Sequence, residues 1–374
     1  MIRPLSTAVC LAALLGHTAA DTASDLTAAL ASDPSLSSMQ QLVAQHPTLL
    51  NDLVKDNTAV TVFVPNNDAL QAHTATAGRP LTDTPAALLA SILAYHVVAA
   101  GLTSASFDST FNSAKGITAP TLLTGEVYNN RTAGPELVAA YGTSAGGQVV
   151  YAERDDGGYT LQGGQAERIN LTVVDKQWRR GYIQIVDRVL QLPKNCTATM
   201  NEQASLKTLS TSLADTGAYD SIDTARDVTC LAPSNEAFEA AGNPQKKLNS
   251  TELTWLIRSH VLKQPLYLDL IKDGMVFQSL RNTTIKVTKK GDDIYFNNAK
   301  VVQPNVLTNN GVVYVLDKVL ENNSAVSPTT PDDPSGTDSA PSSTSSKSWG
   351  SGRPDVGKGL LLVAALGTVW AHFT

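Results

Sequence analysis

Apolar and polar positions alternate along the middle of the chain in two distinct rhythms. Over residues 59–70 (AVTVFVPNNDAL) a β-branched run meets a proline and then polar residues, which predicts a strand, a turn and the start of a helix. Asn66 is placed to cap that helix, and Asp68 falls in its first turn, where the helix dipole favours a negative charge. Leu89, Ile92, Leu93 and His96 then recur at i, i+3, i+4 and i+7, so all four share one helix face. Residues 181–190 (GYIQIVDRVL) read as a closing strand reached through a glycine turn.

Each of these patterns occurs twice. The strand–turn–helix run returns at 227–238 (DVTCLAPSNEAF), with Ser234 as the cap and Glu236 as the first-turn acid. The helix stripe returns as Leu253, Leu256, Ile257 and His260, and the closing strand as 311–320 (GVVYVLDKVL). The displacement between copies falls from 164 positions at the helix to 130 at the last strand, so the first copy carries about 34 extra residues between them. Gly146-Gly147, Gly157-Gly158 and Gly163-Gly164 predict glycine-punctuated hairpins in that insertion. The duplication divides the body into two domains, 21–193 and 194–323, a division that 374 residues accommodate with one core each.

The ends of the chain differ in kind from the body. Arg3, an apolar stretch and the small residues Thr18, Ala19 and Ala20 make 1–20 a secretory signal, with the mature chain starting at Asp21. Residues 324–352 are rich in Ser, Thr, Pro, Asp and Gly and cannot bury a core, so they are expected to form an extended stalk suited to O-glycosylation. Residues 353–374 combine a polar spacer with an apolar run at 359–370. As a helix that run spans about 18 Å, short of a roughly 30 Å hydrocarbon core, and the pattern fits a glycosylphosphatidylinositol (GPI) attachment signal. Gly350, opening the small triplet 350–352, is the expected attachment residue, with 344–346 as the other candidate; a short single-pass anchor is the competing reading. Sequons at Asn130, Asn170, Asn195, Asn249, Asn282 and Asn322 are candidate N-glycan acceptors in a secreted chain.

Composition narrows the chemistry. A net charge of −6 argues against a nucleic-acid or anionic-membrane partner held by bulk charge. Cys10 leaves with the signal, so Cys196 and Cys230 are the remaining pair, and in an oxidising compartment one disulfide between them is the simplest expectation. No G-x-S-x-G, H-E-x-x-H, P-loop or G-x-G-x-x-G pattern occurs, and His46, His73, His96 and His260 are the histidines of the mature chain before its tail. No catalytic residue, metal site or cofactor is implied. Asp155-Asp156 beside Gly157-Gly158 lacks the ligand spacing of a calcium loop and reads as a solvated hairpin turn. His96 and His260, on apolar helix faces, are either core histidines bonded to backbone or contact residues for a partner.

Taken in order, T-V-F-x-P-x-N-x-A, then Tyr95-His96-Val97-Val98, then G-x-[IV]-x-[IV]-[IVL]-D-x-V-L resemble the fasciclin domain, present twice over nearly the whole of 21–321. The resemblance implies an α+β fold, each domain a twisted β-wedge packed against a bundle of short helices. It also implies a non-enzymatic role as an adhesion or matrix glycoprotein binding cell-surface or matrix proteins or glycans, and a contact role for Tyr95, His96 and His260. The copies depart from the pattern at Ser259, which replaces the tyrosine before His260, and at Ala99, which stands where the family usually has a proline. The expected destination is the cell surface, on the plasma membrane or in the cell wall. The alternatives are a vacuolar-membrane fasciclin protein acting in membrane fusion or trafficking, and a secreted enzyme of unrecognised chemistry.

Overall fold

The computed structural model describes residues 19–54, 59–108 and 115–320. The expected signal up to residue 18, the stalk, the anchor signal with Gly350, and Asn322 lie outside the described residues; Ala19 and Ala20 open the first helix.

The first half begins with helices α1 (Ala19–Ala31), α2 (Ser37–Gln45) and α3 (Pro47–Val54). Strand β1 (Val60–Pro65) follows, then α4 (Asn67–Ala77), α5 (Ala86–Tyr95), β2 (Val97–Val98), α6 (Ser104–Phe107), β3 (Ile117–Pro120) and α7 (Pro135–Tyr141). Strands β4 (Val149–Asp155), β5 (Gly158–Gln162), β6 (Arg168–Trp178) and β7 (Gly181–Val186) complete it. The second half runs α8 (Cys196–Glu202), α9 (Lys207–Thr216), α10 (Tyr219–Asp223), β8 (Val228–Pro233), α11 (Asn235–Ala240), α12 (Ser250–Ser259) and β9 (Val261–Leu262). It ends with β10 (Val276–Gln278), β11 (Thr284–Lys290), β12 (Asp293–Phe296), β13 (Ala299–Thr308) and β14 (Gly311–Leu316).

Each half forms a seven-stranded sheet with one topology, β2-β1-β7-β6-β5-β4-β3 in the first and β9-β8-β14-β13-β12-β11-β10 in the second. The opening and closing strands pair in parallel, β1 with β7 and β8 with β14, and the other ladders are antiparallel. Single bridges from Val98 to Thr121 and from Leu262 to Ser279 bring the sheet ends together, so each sheet is nearly closed. The fold is therefore α+β and duplicated. The parallel pair explains the two glycines that precede the closing strands. Gly181 and Gly311 have φ of 142° and 156°, and a Cβ there would stand 2.0 Å from the Val60 carbonyl oxygen and 1.8 Å from that of Val228. Only glycine fits both the torsion and the space.

The helical side of each sheet buries an apolar cluster. In the first half Leu26, Leu30, Leu42, Val62, Leu89 and Ile183 belong to it; in the second, Met200, Leu209, Cys230, Phe238, Leu253 and Val313. The predicted caps are in place: Asn66 Oδ1 accepts from the Ala69 N–H at 2.8 Å and Ser234 Oγ from the Ala237 N–H at 3.2 Å.

The insertion is built differently from the expectation. Gly157-Gly158 does make a hairpin turn, but it joins β4 to β5, where the second half has an equivalent turn between β11 and β12. The extra length lies mainly between β3 and β4, at 121–148, against 279–283 between β10 and β11. It is a helical excursion carrying α7 and a short 3-10 segment, Gly142–Gly146, and not a set of hairpins. Leu137 and Ala145 of this excursion, with Val149 of β4, are buried in one cluster with Leu266, Tyr267 and Phe277 of the second half. The two halves thus share part of a core.

Candidate functional site

The repeated motifs resolve into repeated cross-links inside the fold. Thr61 and Thr229 Oγ1 accept from the N–H groups of Leu102 and Leu266, at 2.7 and 2.9 Å, and donate to the carbonyls of Ala100 and Gln264. They pin the loop after β2 or β9 to the opening strand. Asn67 and Asn235 reach the other way: their Oδ1 atoms accept from the N–H groups of Ser38 and Thr208, near the starts of α2 and α9. Asp187 and Asp317 accept from the N–H groups of Asn170 and Lys300 on the neighbouring strands, at 2.8 and 2.7 Å.

The histidines complete the set. His96 and His260 follow the last residues of α5 and α12 and are each 4% exposed. Nδ1 of His96 bonds the Ile92 carbonyl at 2.7 Å and its Nε2 accepts from the Leu190 N–H at 3.0 Å. His260 repeats this with the Leu256 carbonyl at 2.8 Å and the Leu320 N–H at 3.0 Å. Because a backbone N–H points at Nε2, that nitrogen carries no proton and Nδ1 is the donor. Burial holds both imidazoles down at about 4, so they are neutral at pH 7. Tyr95 is fully buried, its hydroxyl donating to the Val149 carbonyl at 3.1 Å, and burial raises its pKa. Tyr95, His96 and His260 thus present almost no side-chain surface; they hold helix ends against the strands.

Cys196 and Cys230 are brought together, but the expected bond is not formed in this structure. Both are buried free thiols with Sγ atoms 3.0 Å apart, and the Cys230 contact and burial push the Cys196 pKa up. Asp155 behaves as a turn residue: its Oδ1 accepts from the Gly157 N–H, and the carboxylate pairs with Arg168. Among the described residues no group of acids, histidines or cysteines is arranged as a metal site.

Of the sequons, Asn170, Asn249 and Asn282 are exposed. Asn170 Nδ2 is engaged with Asp187 at 2.7 Å, Asn249 caps α12, and Asn282 sits in a left-handed turn with φ of 56°. Asn130 and Asn195 are half-buried where the halves meet.

The junction itself was not legible as a site. From the insertion, the Thr132 N–H and hydroxyl donate to the Asp227 carboxylate at 2.7 and 2.8 Å, and the Asn130 N–H donates to the Asn309 carbonyl. On β3, the Thr118 N–H and hydroxyl donate to the half-buried Asp269 carboxylate, whose pKa desolvation raises. Beside the Asn130–Asn309 contact lies a cleft of about 500 Å³, within the usual range of roughly 300–1,000 Å³ for small-ligand pockets. His73, Arg79 and Gln165 line it from the first half, Tyr128 from the insertion, Asn195 from the linker and Asn309 from the second half. It continues past His73 into a second hollow of about 540 Å³ beside Glu167 and Arg188. Burial and the Arg79 charge lower the His73 pKa. No sequence signal marks this cleft, because its walls come from five separate segments.

The family model described as the fasciclin domain matches residues 34–193 and 204–322. A fasciclin-like arabinogalactan protein of Arthroderma benhamiae is 27% identical over 52% of this chain and 47% of its own. A second protein of that description, elcF of Phaeosphaeria nodorum, is 28% identical over 80% of this chain and 88% of its own. Transforming growth factor-beta-induced protein ig-h3 of Sus scrofa is 28% identical over 41% of this chain and 23% of its own, so the chain matches less than half the length of two of these three relatives. A solved domain pair from the insect cell adhesion molecule fasciclin I covers 77% of this chain and 97% of its own, at 16% identity and a TM-score of 0.36. The duplicated motifs, the two nearly closed sheets and the family match over both halves together establish that the chain belongs to the fasciclin-domain family.

Proposed function

We propose that this protein is a non-enzymatic adhesion or matrix glycoprotein of the secretory pathway, displayed on a GPI-anchored stalk and binding a protein or wall glycan through its two-domain body. The observation that carries the reading is the use of the duplicated motif side chains in internal hydrogen bonds. These residues build a rigid scaffold, and recognition falls to the surfaces around it. The relatives' descriptions as fasciclin-like arabinogalactan proteins support the extracellular placement. The shared core of the two halves suits display, because it holds both faces in one orientation. In the secreted protein Cys196 and Cys230 close as a disulfide.

Phosphatidylinositol-specific phospholipase C should release the protein from intact membranes, and truncation before Gly359 should send it to the medium. Retention on the membrane after phospholipase treatment, with the tail intact by mass spectrometry, overturns the anchor. Beads coated with the full secreted chain should bind cells or wall fragments of the source organism above beads coated with an unrelated glycoprotein. Equal binding overturns the adhesion role.

A further inference from the structure

Asn195 and Asn249 are two sequon asparagines with the same local job in different surroundings. Each is a helix N-cap whose Oδ1 accepts a backbone N–H, from Ala198 at 2.9 Å and from Glu252 at 3.0 Å. The cap occupies the oxygen and leaves the amide nitrogen, the atom a glycan is joined to, without a hydrogen-bond partner among the described residues. Asn249 faces solvent, whereas Asn195 lines the interdomain cleft.

The cleft has the chemistry of a saccharide site. Its wall offers amide side chains, which both donate and accept, from Gln165, Gln191 and Asn309. Asn309 is 9% exposed, and its Nδ2 donates to the Val127 carbonyl at 3.1 Å, but no protein group among the described residues donates to its Oδ1. A buried acceptor of this kind calls for a donor, and a hydroxyl supplies one. Lys194 is paired with Glu202 and Arg188 with Glu167, so neither offers a free charge to a ligand. Arg79 has no carboxylate partner among the described residues, and its N–H groups suit hydroxyl and ring oxygens.

We propose that Asn195 carries an N-linked glycan whose first, neutral sugars lie in this cleft and bridge the two domains, with Asn309 Oδ1 accepting from a sugar hydroxyl. The amide nitrogen of Asn195 displaces the diphosphate from the anomeric carbon of a lipid-diphosphate oligosaccharide; its proton leaves and the lipid diphosphate is released. In the folded protein the Thr197 hydroxyl of the sequon is buried and donates to Asp223 at 2.5 Å. Transfer therefore precedes folding, and the domains then close over the sugar. The inference rests on the secretory reading above.

The test compares the two caps in the full secreted chain. Peptide mass spectrometry should find Asn195 occupied. On native protein, peptide-N-glycosidase should release the Asn195 glycan at least about tenfold more slowly than the Asn249 glycan, and unfolding should abolish the difference. Asn195→Asp keeps a carboxylate cap but removes the acceptor nitrogen, and it should lower the melting temperature by more than Asn249→Asp does. Arg79→Ala, a surface change, should speed release from Asn195 alone. An unoccupied Asn195 beside glycosylated Asn249 and Asn282 overturns this proposal and leaves secretion standing; a chain without any N-glycan overturns the secretory reading itself. Equal release rates, or equal melting of the two Asp variants, place the Asn195 glycan outside the cleft and also overturn it. Binding of free mannotriose or laminaritriose to an unoccupied cleft assigns the site to an external saccharide and overturns the proposal in the same way.

Discussion

The two domains are built on one plan and differ where the plan is interrupted. In both, a threonine on the opening strand, an asparagine after the proline, a histidine at the helix end and an aspartate just past the closing strand make the same four connections. The second domain joins β10 to β11 through a short turn at 279–283, whereas the first spends 121–148 on an excursion that docks against its neighbour. The cysteine pair belongs to the second domain alone, where Cys230 takes the place of Val62. What is duplicated holds each sheet together; what is single joins the domains and shapes the cleft between them.

The strongest way to break this equivalence is at the closing-strand glycines. Gly181→Ala and Gly311→Ala should each cost about 4 kcal/mol or more, because a Cβ would overlap a backbone carbonyl at a left-handed torsion. Secretion yield and thermal melting check this. If either alanine is tolerated, the parallel pairing is not equally tight in the two domains.

The cysteine pair tests a difference instead. Oxidation closes a span of 34 positions, with a chain-entropy effect of about 3.5–4 kcal/mol. Alkylation of the unfolded native protein should find no free thiol. Dithiothreitol should raise hydrogen exchange in α8 and β8 while β1 and β7 stay protected. Loss of protection in both domains would show that the shared core transmits the effect.

The histidines test the symmetry again. Their native pKa of about 4 lies below the ordinary 6.5, so between these values the unfolded chain binds protons that the native protein refuses. Stability is full above pH 6.5 and falls as the pH drops towards 4, by about 3 kcal/mol for each histidine. Denaturant midpoints across that window should show the loss, and His96→Gln or His260→Gln should each reduce the slope by a similar amount while lowering stability at pH 7. An unchanged slope would show that other groups set the acid response.

The smallest expected effect is at the junction. Thr132→Ala leaves the Asp227 carboxylate with one donor fewer and should cost about 1 kcal/mol, read as a shift in midpoint. The isolated segments 21–193 and 194–323 sharpen the point. Each should fold, but with weaker stability than in the full chain and with stronger binding of a hydrophobic dye, because Leu137 and Phe277 lose their shared cover. Segments as stable as the whole would show that the shared core contributes little.

Much of this scaffold was legible beforehand because local patterns carry it. Strand, proline and cap follow one another within a dozen residues, and the two copies check each other. His96 and His260 stood out on apolar helix faces, and their partners proved to be backbone groups of their own helices and of the segments just past the closing strands. The insertion was misread because paired glycines mark turns without saying which elements the turns connect. Two of the three glycine pairs fall in or beside the β4–β5–β6 strands common to both domains.

The sequence by itself determined the duplication, the family, the strand, turn and helix of each repeated motif and the positions of the caps, since each depends on residues close together in the chain. Tertiary structure alone decided the pairing of Thr118 with Asp269, the fit of Leu137 against the second domain, and the meeting of Arg79, Asn195 and Asn309 around one cleft. These contacts join residues more than a hundred positions apart. No periodicity of either partner encodes them; they follow from how two finished sheets and an excursion exclude water together.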